Sequence, residues 1–274
     1  MRRATGKIVV METEIRLLQI SDPHLFARAD GALRGVVTRE SLQAVLHHAR
    51  AHHWDTEALL LTGDLVNDDA GGYATVRELL GELGKPVWCL PGNHDDGEAM
   101  RRELGAAPFE IGGFHDLGAW RVILLDSCVS GQAHGRLSAA ELTRLDATLA
   151  SAGDRHVLIS LHHHPVRMAS RWIDSVGLQN PEDFFAITDR YPQVRVVLWG
   201  HVHQAFDSRR KGVRLLAVPS TCAQFLPHCD QFAIDPSPPG YRRLTLRSDG
   251  TIDTEVLRVE LQAAARTAQR AAGA

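Results

Sequence analysis

The sequence has no long hydrophobic run and no strong excess of charge of either sign. None of its segments approaches the roughly 18–20 consecutive apolar residues of a membrane-spanning helix. The formal net charge is only −3, so the chain lacks the basic character that nucleic acids or anionic membranes attract. These absences argue against a nuclease and predict neither a nucleic-acid nor a membrane partner. An anionic substrate would have to be attracted locally, by a metal ion or a helix end.

Cysteine is also scarce, and no C-x-x-C pair occurs. Four scattered cysteines in 274 residues are typical of a reduced, cytoplasmic protein rather than of a disulfide framework. The first residues have a basic start but only a very short apolar run and no small-residue cleavage site, which makes them a poor signal peptide. We therefore expect a cytoplasmic protein, and the sequence leaves its oligomeric state open.

Short apolar runs alternate with longer amphipathic stretches along the chain. This alternation predicts an α/β fold with a mainly parallel central sheet. The turn signal Ser248-Asp249-Gly250 joins two further strands into a hairpin, so mixed sheets are expected. We predict a single domain over residues 12–260, an N-terminal extension over residues 1–11, and an alanine-rich tail over residues 261–274. Strands are predicted at 15–20, 58–62, 86–90, 120–125, 156–161, 194–199, 215–218, 242–247 and 252–257, and helices at 38–52, 72–83 and 138–150.

Polar side chains follow five of these apolar runs at the point where each run ends. In open α/β sheets the carboxyl ends of the strands form the edge where ligands bind. Side chains alternate along a strand, so D-x-H and H-x-H should each aim two side chains the same way. Neighbouring glycines at 63, 92 and 200 would allow tight turns and close ligand approach. The candidates are Asp22, His24, Asp64, Asn93, His94, His162, His201 and His203.

Imidazole and carboxylate ligands together suit a borderline transition metal, and there are too many of them for one ion. Two ions about 3.5–4 Å apart can clamp the attacking and leaving oxygens of a phosphoryl transfer. Aspartate and asparagine oxygens beside histidine nitrogens suggest iron, manganese or zinc. A carboxylate with two oxygens could bridge the two ions, and Asp64 is the natural candidate.

The ordered motifs D-x-H, G-D, G-N-H-D, H and G-H-x-H resemble those of calcineurin-like metallophosphoesterases over residues 15–203. The segments 134–138, 161–165, 200–204 and 219–242 further resemble the bacterial class III cyclic-AMP phosphodiesterases. That resemblance implies a four-layer αββα sandwich with two mixed β-sheets and a dinuclear metal site at the C-terminal strand ends. It implies that the metal ligands are Asp22, His24, Asp64, Asn93, His162, His201 and His203. It places His94 beside the phosphate, and it implies substrate contacts from His24, Asp64, Asn93, His94 and His203.

Several residues admit more than one interpretation. Only one of the three consecutive histidines 162–164 should bind metal, and alternation puts His164 on the same face as His162. His94 could hydrogen-bond a phosphate oxygen or donate a proton to the leaving alkoxide. Asp95 could hold His94 or a ligand in one tautomer. Asp126 and His134 are more readily explained as structural residues, and the histidines at 47, 48, 52 and 53 as surface residues.

The reaction implied by the resemblance is hydrolysis of 3′,5′-cyclic AMP to 5′-AMP by a metal-bridging hydroxide. A broader phosphodiesterase acting on glycerophosphodiesters or 2′,3′-cyclic nucleotides shares the same core, so the core cannot separate the two. An inactive scaffold would be expected to lack ligands, and none is missing. A loop at residues 171–180 could close over the nucleotide.

Overall fold

The computed structural model describes residues 14–261. Among these residues the helices and strands follow one another with short connections, and none of the helices is long and apolar enough to cross a bilayer. The helices are α1 (Thr38–His52), α2 (Gly72–Leu80), α3 (Gly97–Leu104), α4 (Ala139–Ala150), α5 (Arg171–Asp174) and α6 (Pro181–Thr188). The strands are β1 (Ile15–Ile20), β2 (Ala32–Leu33), β3 (Val36–Val37), β4 (Ala58–Thr62), β5 (Val87–Leu90), β6 (Phe109–Ile111), β7 (Gly113–Leu117), β8 (Trp120–Leu124), β9 (His156–Ser160), β10 (Val194–Trp199), β11 (Phe206–Arg210), β12 (Val213–Ala217), β13 (Gln224–Phe225), β14 (Ile234–Asp235), β15 (Gly240–Leu246) and β16 (Ile252–Arg258).

The principal strands form two six-stranded mixed sheets. The first has the order β16-β15-β1-β4-β5-β6, in which β1, β4, β5 and β6 are parallel and β15 and β16 add antiparallel pairs. The second has the order β11-β12-β10-β9-β8-β7, with a parallel centre and an antiparallel strand at each edge. The parallel strands are apolar nearly throughout because they are buried on both faces.

Three apolar clusters separate four layers. Side chains such as Leu60, Trp120 and Leu158 fill the space between the two sheets. A second cluster joins the outer face of the first sheet to α1, α2 and α3, and a third joins the outer face of the second sheet to α4, α5 and α6. The predicted αββα sandwich with mixed sheets is therefore confirmed.

The predicted elements agree with the structure where the apolar pattern is strong. β1, β4, β10 and α1 have the predicted bounds, whereas α2 ends at Leu80 rather than at residue 83. The sequence did not reveal α3, α6, β6, β7 or β11, which are short or largely exposed. The predicted extension over residues 1–11 lies outside the described residues, as does all of the alanine-rich tail beyond Leu261, and the domain limits stay predictions.

Truncation of a side chain between the sheets tests this layered core. Leu158 is fully buried on β9, so Leu158→Ala removes packing from the space between the sheets and should lower the free energy of unfolding by about 2–5 kcal/mol. The measurement is denaturant unfolding beside Gln43→Ala, an exposed position on α1 where no comparable loss is expected. An equal effect of the two substitutions would contradict the assignment of Leu158 to the central core.

Candidate active site

All of the predicted metal-site residues lie at one edge of the sandwich, where the ends of both sheets meet. Asp22 and His24 follow β1, Asp64 follows β4, and Asn93 and His94 follow β5, all in the first sheet. The second sheet supplies His162 after β9, and His201 and His203 after β10. The site therefore exists only because the two sheets pack with their carboxyl ends side by side.

The backbone is left-handed at five of these eight positions. Asp22, His24, Asp64, His201 and His203 have φ between 47° and 64°, a conformation that Asp, Asn and His adopt more readily than most residues. The side chains of Asp22 and His24 do approach a common point, but strand alternation does not cause this, because β1 has already ended at Ile20. Tight left-handed turns place them instead. Such outliers persist only where the surrounding structure over-determines them.

Glycines beside the site permit close contacts, as expected from the sequence. A Cβ on Gly63 would overlap the ring of His162, and one on Gly92 would overlap the carboxylate of Asp64. A Cβ on Gly200 would meet Ser21 Oγ and the Asp22 carboxylate. Gly63 also has φ of +94°, so a side chain is disfavoured there on two grounds. Because these three glycines have no side chain, the loops after β4, β5 and β10 can pack directly against the site residues.

Asp64 lies between the two groups of imidazoles. Its Oδ1 accepts the backbone N–H of His94 at 2.9 Å, while Oδ2 lies 3.3 Å from His162 Nε2 and 3.7 Å from His24 Nε2. Burial opposes ionisation of Asp64, but His162 and His24 outweigh it and hold the pKa of this carboxyl well below its usual value. Burial likewise opposes protonation of His162, yet the carboxylates of Asp64 and Asp22 raise its pKa to about 9.

The imidazoles are oriented by hydrogen bonds on their far nitrogens. His162 Nδ1 lies 2.9 Å from the Thr62 carbonyl, and His203 Nδ1 lies 2.7 Å from the Ala223 carbonyl. A carbonyl can only accept, so each Nδ1 carries a proton, and each Nε2 is the nitrogen that faces the site and could give its lone pair to a metal ion in place of a proton. This arrangement is typical of metal-binding histidines.

The distances between potential ligand atoms fit bound metal ions. Metal–ligand bonds of about 2.0–2.2 Å place neighbouring ligands about 2.8–3.6 Å apart around a tetrahedral or octahedral ion. Here His24 Nε2 lies 3.2 Å from His203 Nε2, which lies 3.4 Å from Asp22 Oδ1. His162 Nε2 lies 3.2 Å from Asn93 Oδ1 and 3.3 Å from His201 Nδ1. Lone-pair-bearing atoms at such separations repel one another unless a cation or proton lies between them. The donor set thus fits two metal sites that share Asp64.

The structure distinguishes the three consecutive histidines. His162 Nε2 faces Asp64 Oδ2 at 3.3 Å. His163 Nδ1 lies 2.8 Å from Ser127 Oγ, and one of its nitrogens also lies within reach of a joint site with His162 and His201. His164 points to Asp174, at 3.8 Å, and its ring stacks 5.6 Å from that of His201. His164 is thus placed beside the ligand set rather than in it.

His94 forms a pair with a carboxylate that sequence reasoning missed. Its Nδ1 lies 2.8 Å from Asp68 Oδ2, and its ring lies 5.1 Å from that of His24. Burial alone would lower the pKa of His94, but Asp64 and Asp68 raise it above its usual value. The sequence signal for this pair was the position of Asp68 four residues after Asp64, in the segment that follows the β4 strand.

Asp95 orients backbone rather than His94 or a ligand imidazole. Its carboxylate accepts the N–H groups of Leu65, Val66 and Gly92, and the hydroxyl of Tyr73 at 3.0 Å. Burial and the nearby Asp64 raise its pKa to about 6. The interpretation that Asp95 fixes a tautomer is therefore wrong; it fastens the β4 and β5 loops to each other.

Of the remaining candidates, Asp126 has the structural role expected of it, since its side chain accepts the N–H of Cys128 at 2.9 Å. His134 lies half-buried in the loop before Gly135, which packs on His163. His52 is exposed and His48 is half-buried; their rings stack one helical turn apart at 4.4 Å, and His48 Nδ1 lies 3.0 Å from the Tyr241 hydroxyl.

Two mixed sheets between helical layers, with buried aspartates and histidines at the shared strand ends, define a dinuclear metallophosphoesterase fold. The calcineurin-like phosphoesterase family model matches residues 15–205. The chain belongs to this family.

Curated relatives match nearly the whole chain. It is 40% identical over 250 residues to the 3′,5′-cyclic adenosine monophosphate phosphodiesterase CpdA of Pseudomonas aeruginosa, covering 91% of this chain and 92% of that protein. It is 42% identical over 250 residues to CpdA of Escherichia coli K12, covering 90% and 91%. Among solved structures, a dimetal phosphatase from Danio rerio superposes with a TM-score of 0.61 over 90% of this chain and 99% of that one, at 17% identity, and so shares the fold.

A single methyl group at Gly63 tests the closeness of the site. Gly63→Ala should reduce bound metal well below two equivalents, because its Cβ displaces His162. The matched control is Gly84→Ala. Gly84 also has a positive φ, +69°, but no atom lies within 4 Å of the added Cβ. This variant should lose about 1–2 kcal/mol of stability and keep its metal.

Elemental analysis after gel filtration measures the metal content of both variants, and equal metal loss in the two would contradict the packing argument.

Proposed function

We propose that this protein is a two-metal phosphodiesterase that opens the 3′,5′ ring of cAMP to give 5′-AMP. The observation that carries the proposal is the convergence of Asp22, Asp64 and the surrounding imidazoles on two overlapping ligand sets, with the His94–Asp68 pair beside them. The choice of cAMP is supported by the relatives of about 40% identity over about 90% of the chain, whose names specify that substrate.

The first metal would be held by Asp22, His24, Asp64 and His203, and the second by Asp64, Asn93, His162 and His201. Nitrogen and oxygen donors of this mixture favour iron or manganese, with zinc also suitable. Two such ions, when bound there, would supply activation of a water nucleophile and would offset charge on the phosphoryl oxygens. Asp64 is suited to bridging because its Oδ2 faces histidines of both sets.

The residues of the chain position the cyclic phosphate and manage its protons. His24, Asp64, Asn93, His94 and His203 surround the place where the phosphate would bind. The Asp68 carboxylate accepts a hydrogen bond from His94 Nδ1, so the other ring nitrogen, Nε2, points away from Asp68. The Asp68 carboxylate, 2.8 Å from His94 Nδ1, favours a protonated imidazole, which suits His94 to donate a hydrogen bond or a proton to phosphate or leaving oxygens.

We also propose that the reaction takes place in the cytoplasm on a small-molecule substrate. Support comes from the four cysteines, all of which are free thiols, as is usual in reducing compartments.

Hydrolysis of 3′,5′-cAMP by purified, metal-analysed protein tests the proposal, with 2′,3′-cAMP and a glycerophosphodiester in parallel. We expect 3′,5′-cAMP to be converted to 5′-AMP, with activity abolished by chelator and restored by iron or manganese. If 3′,5′-cAMP is untouched while another diester is hydrolysed, the protein is a phosphodiesterase of broader or different specificity, and the cAMP assignment is wrong.

Substitution of His94 separates its two suggested roles. As a proton donor to a poor alkoxide leaving group, His94→Asn should lower kcat for cAMP by roughly 10²–10⁴-fold. It should lower kcat much less for a diester with a nitrophenolate leaving group, which needs no proton. Asp68→Asn should show the same selectivity with a smaller loss.

The control for this pair is Asp69→Asn. Asp69 is the neighbouring carboxylate and accepts from Ala27 and Gly71 backbone N–H groups rather than from His94. Equal losses for both leaving groups in His94→Asn would instead assign His94 to phosphate binding.

A further inference from the structure

An aromatic cluster extends outward from the metal-site histidines. The ring of Phe225 stacks on that of His203 with centroids 4.0 Å apart and planes within 7°. Trp172 and Phe232 pack edge-to-face with Phe225 and with each other at 5.2–5.3 Å. We call Trp172, Phe225 and Phe232 the aromatic platform. One end of this platform touches a predicted metal ligand and the other reaches solvent.

The platform is held by the two loops that carry it. Trp172 lies on the short helix α5, and Arg171 beside it pairs with Asp230 at 2.9 Å. Ser170 Oγ donates to the Cys229 carbonyl. Phe225 lies on β13, paired with β14, and the amide of the adjacent Gln224 is fixed by two backbone carbonyls. The rings are therefore preorganised, which is what a recognition surface requires.

The exposed apolar side chains of the protein concentrate at this place. Large hydrophobic residues that are clearly exposed among residues 14–261 number five, and three of them, Leu226, Phe232 and Ile234, lie in or between β13 and β14. Phe232 is 41% exposed. Exposed apolar groups beside a polar site usually mark a ligand or partner surface.

A cation accompanies the platform. The Arg34 guanidinium lies 4.7 Å from the centroid of Phe232. Arg34 is at the tip of the β2–β3 hairpin, and within the described part of the chain it has no carboxylate partner. It is thus available to cover an aromatic group placed beside Phe232, a favourable arrangement for cation–π contact.

We propose that the aromatic platform, with Arg34, binds the purine base of the nucleotide and so determines substrate specificity. The inference rests on the proposed function, because the phosphate must be at the metal site for the base to reach the platform. The ribose separates phosphate from base by one ring, and Phe225 likewise separates His203 from Phe232. Stacking on aromatic rings is the common mode of base recognition outside duplexes.

Binding of two products to the metal-loaded protein tests this inference without turnover. 5′-AMP and ribose 5-phosphate share phosphate and sugar, and only 5′-AMP has a base. Calorimetry should show that wild type binds 5′-AMP on the order of tenfold more tightly, as expected for one stacked base. Phe232→Ala should abolish most of that difference, Arg34→Ala part of it, and neither should change affinity for ribose 5-phosphate or metal content.

Phe114→Ala is the matched control. Phe114 is 45% exposed and is covered by the Arg121 guanidinium at 4.2 Å, but it lies on β7, at an edge of the second sheet. It should bind both ligands as wild type does.

Three results would overturn the inference. The first is equal binding of both ligands by wild type, and the second is equal weakening of both by Phe232→Ala. The third is a Phe232→Ala variant that binds both ligands as wild type does but sediments differently. The last would make the platform an interface between copies of the chain. Failure of wild type to hydrolyse cAMP would count against the proposed function, and it is a separate measurement from these binding constants.

Discussion

The rest of the structure depends on the burial of two carboxylates, Asp22 and Asp64, which must be stabilised away from water. A buried charge is costly unless opposite charges and hydrogen bonds surround it. The first sheet brings both carboxylates with His24 and His94, and the second completes their surroundings with His162, His201 and His203. The aligned carboxyl ends of β1, β4, β5, β9 and β10 are therefore a condition for burying the charges at all.

Much of this centre could be predicted from the sequence because its residues fall where apolar runs stop. Five apolar runs each end at a polar residue, and this pattern predicted that Asp22, Asp64, Asn93, His162 and His201 would be neighbours. Asp68 and the role of Asp95 could not be predicted this way. Both lie in turns, and which groups they contact depends on loop paths across different strands, such as the approach of Gly92 to Leu65 around Asp95.

The fold shows the same division. Unbroken hydrophobic runs predict the strands that are buried on both faces, such as β4 and β10. Amphipathic spacing predicts α1. β7 alternates exposed and half-buried residues over Gly113–Leu117 with glycine at its start, so composition argues against a strand there. It forms because the edge of β8 offers unpaired backbone groups. Local sequence does not predict tertiary contacts of this kind. The stacking of Phe225 on His203 is another example.

The left-handed backbone at Asp22, His24, Asp64, His201 and His203 restricts which residues can replace these proposed ligands. Mutation towards cysteine or glutamate at Asp22, Asp64 or His201 would replace a residue that tolerates positive φ with one that does not, at about 1–2 kcal/mol each. Only aspartate, asparagine, histidine and glycine fit such turns readily. A cysteine or glutamate at one of these positions would need compensating stabilisation elsewhere in the structure. Replacement of a ligand by another residue type is therefore less restricted at Asn93 and His162, which are not among the described residues with positive φ, than at the five left-handed positions.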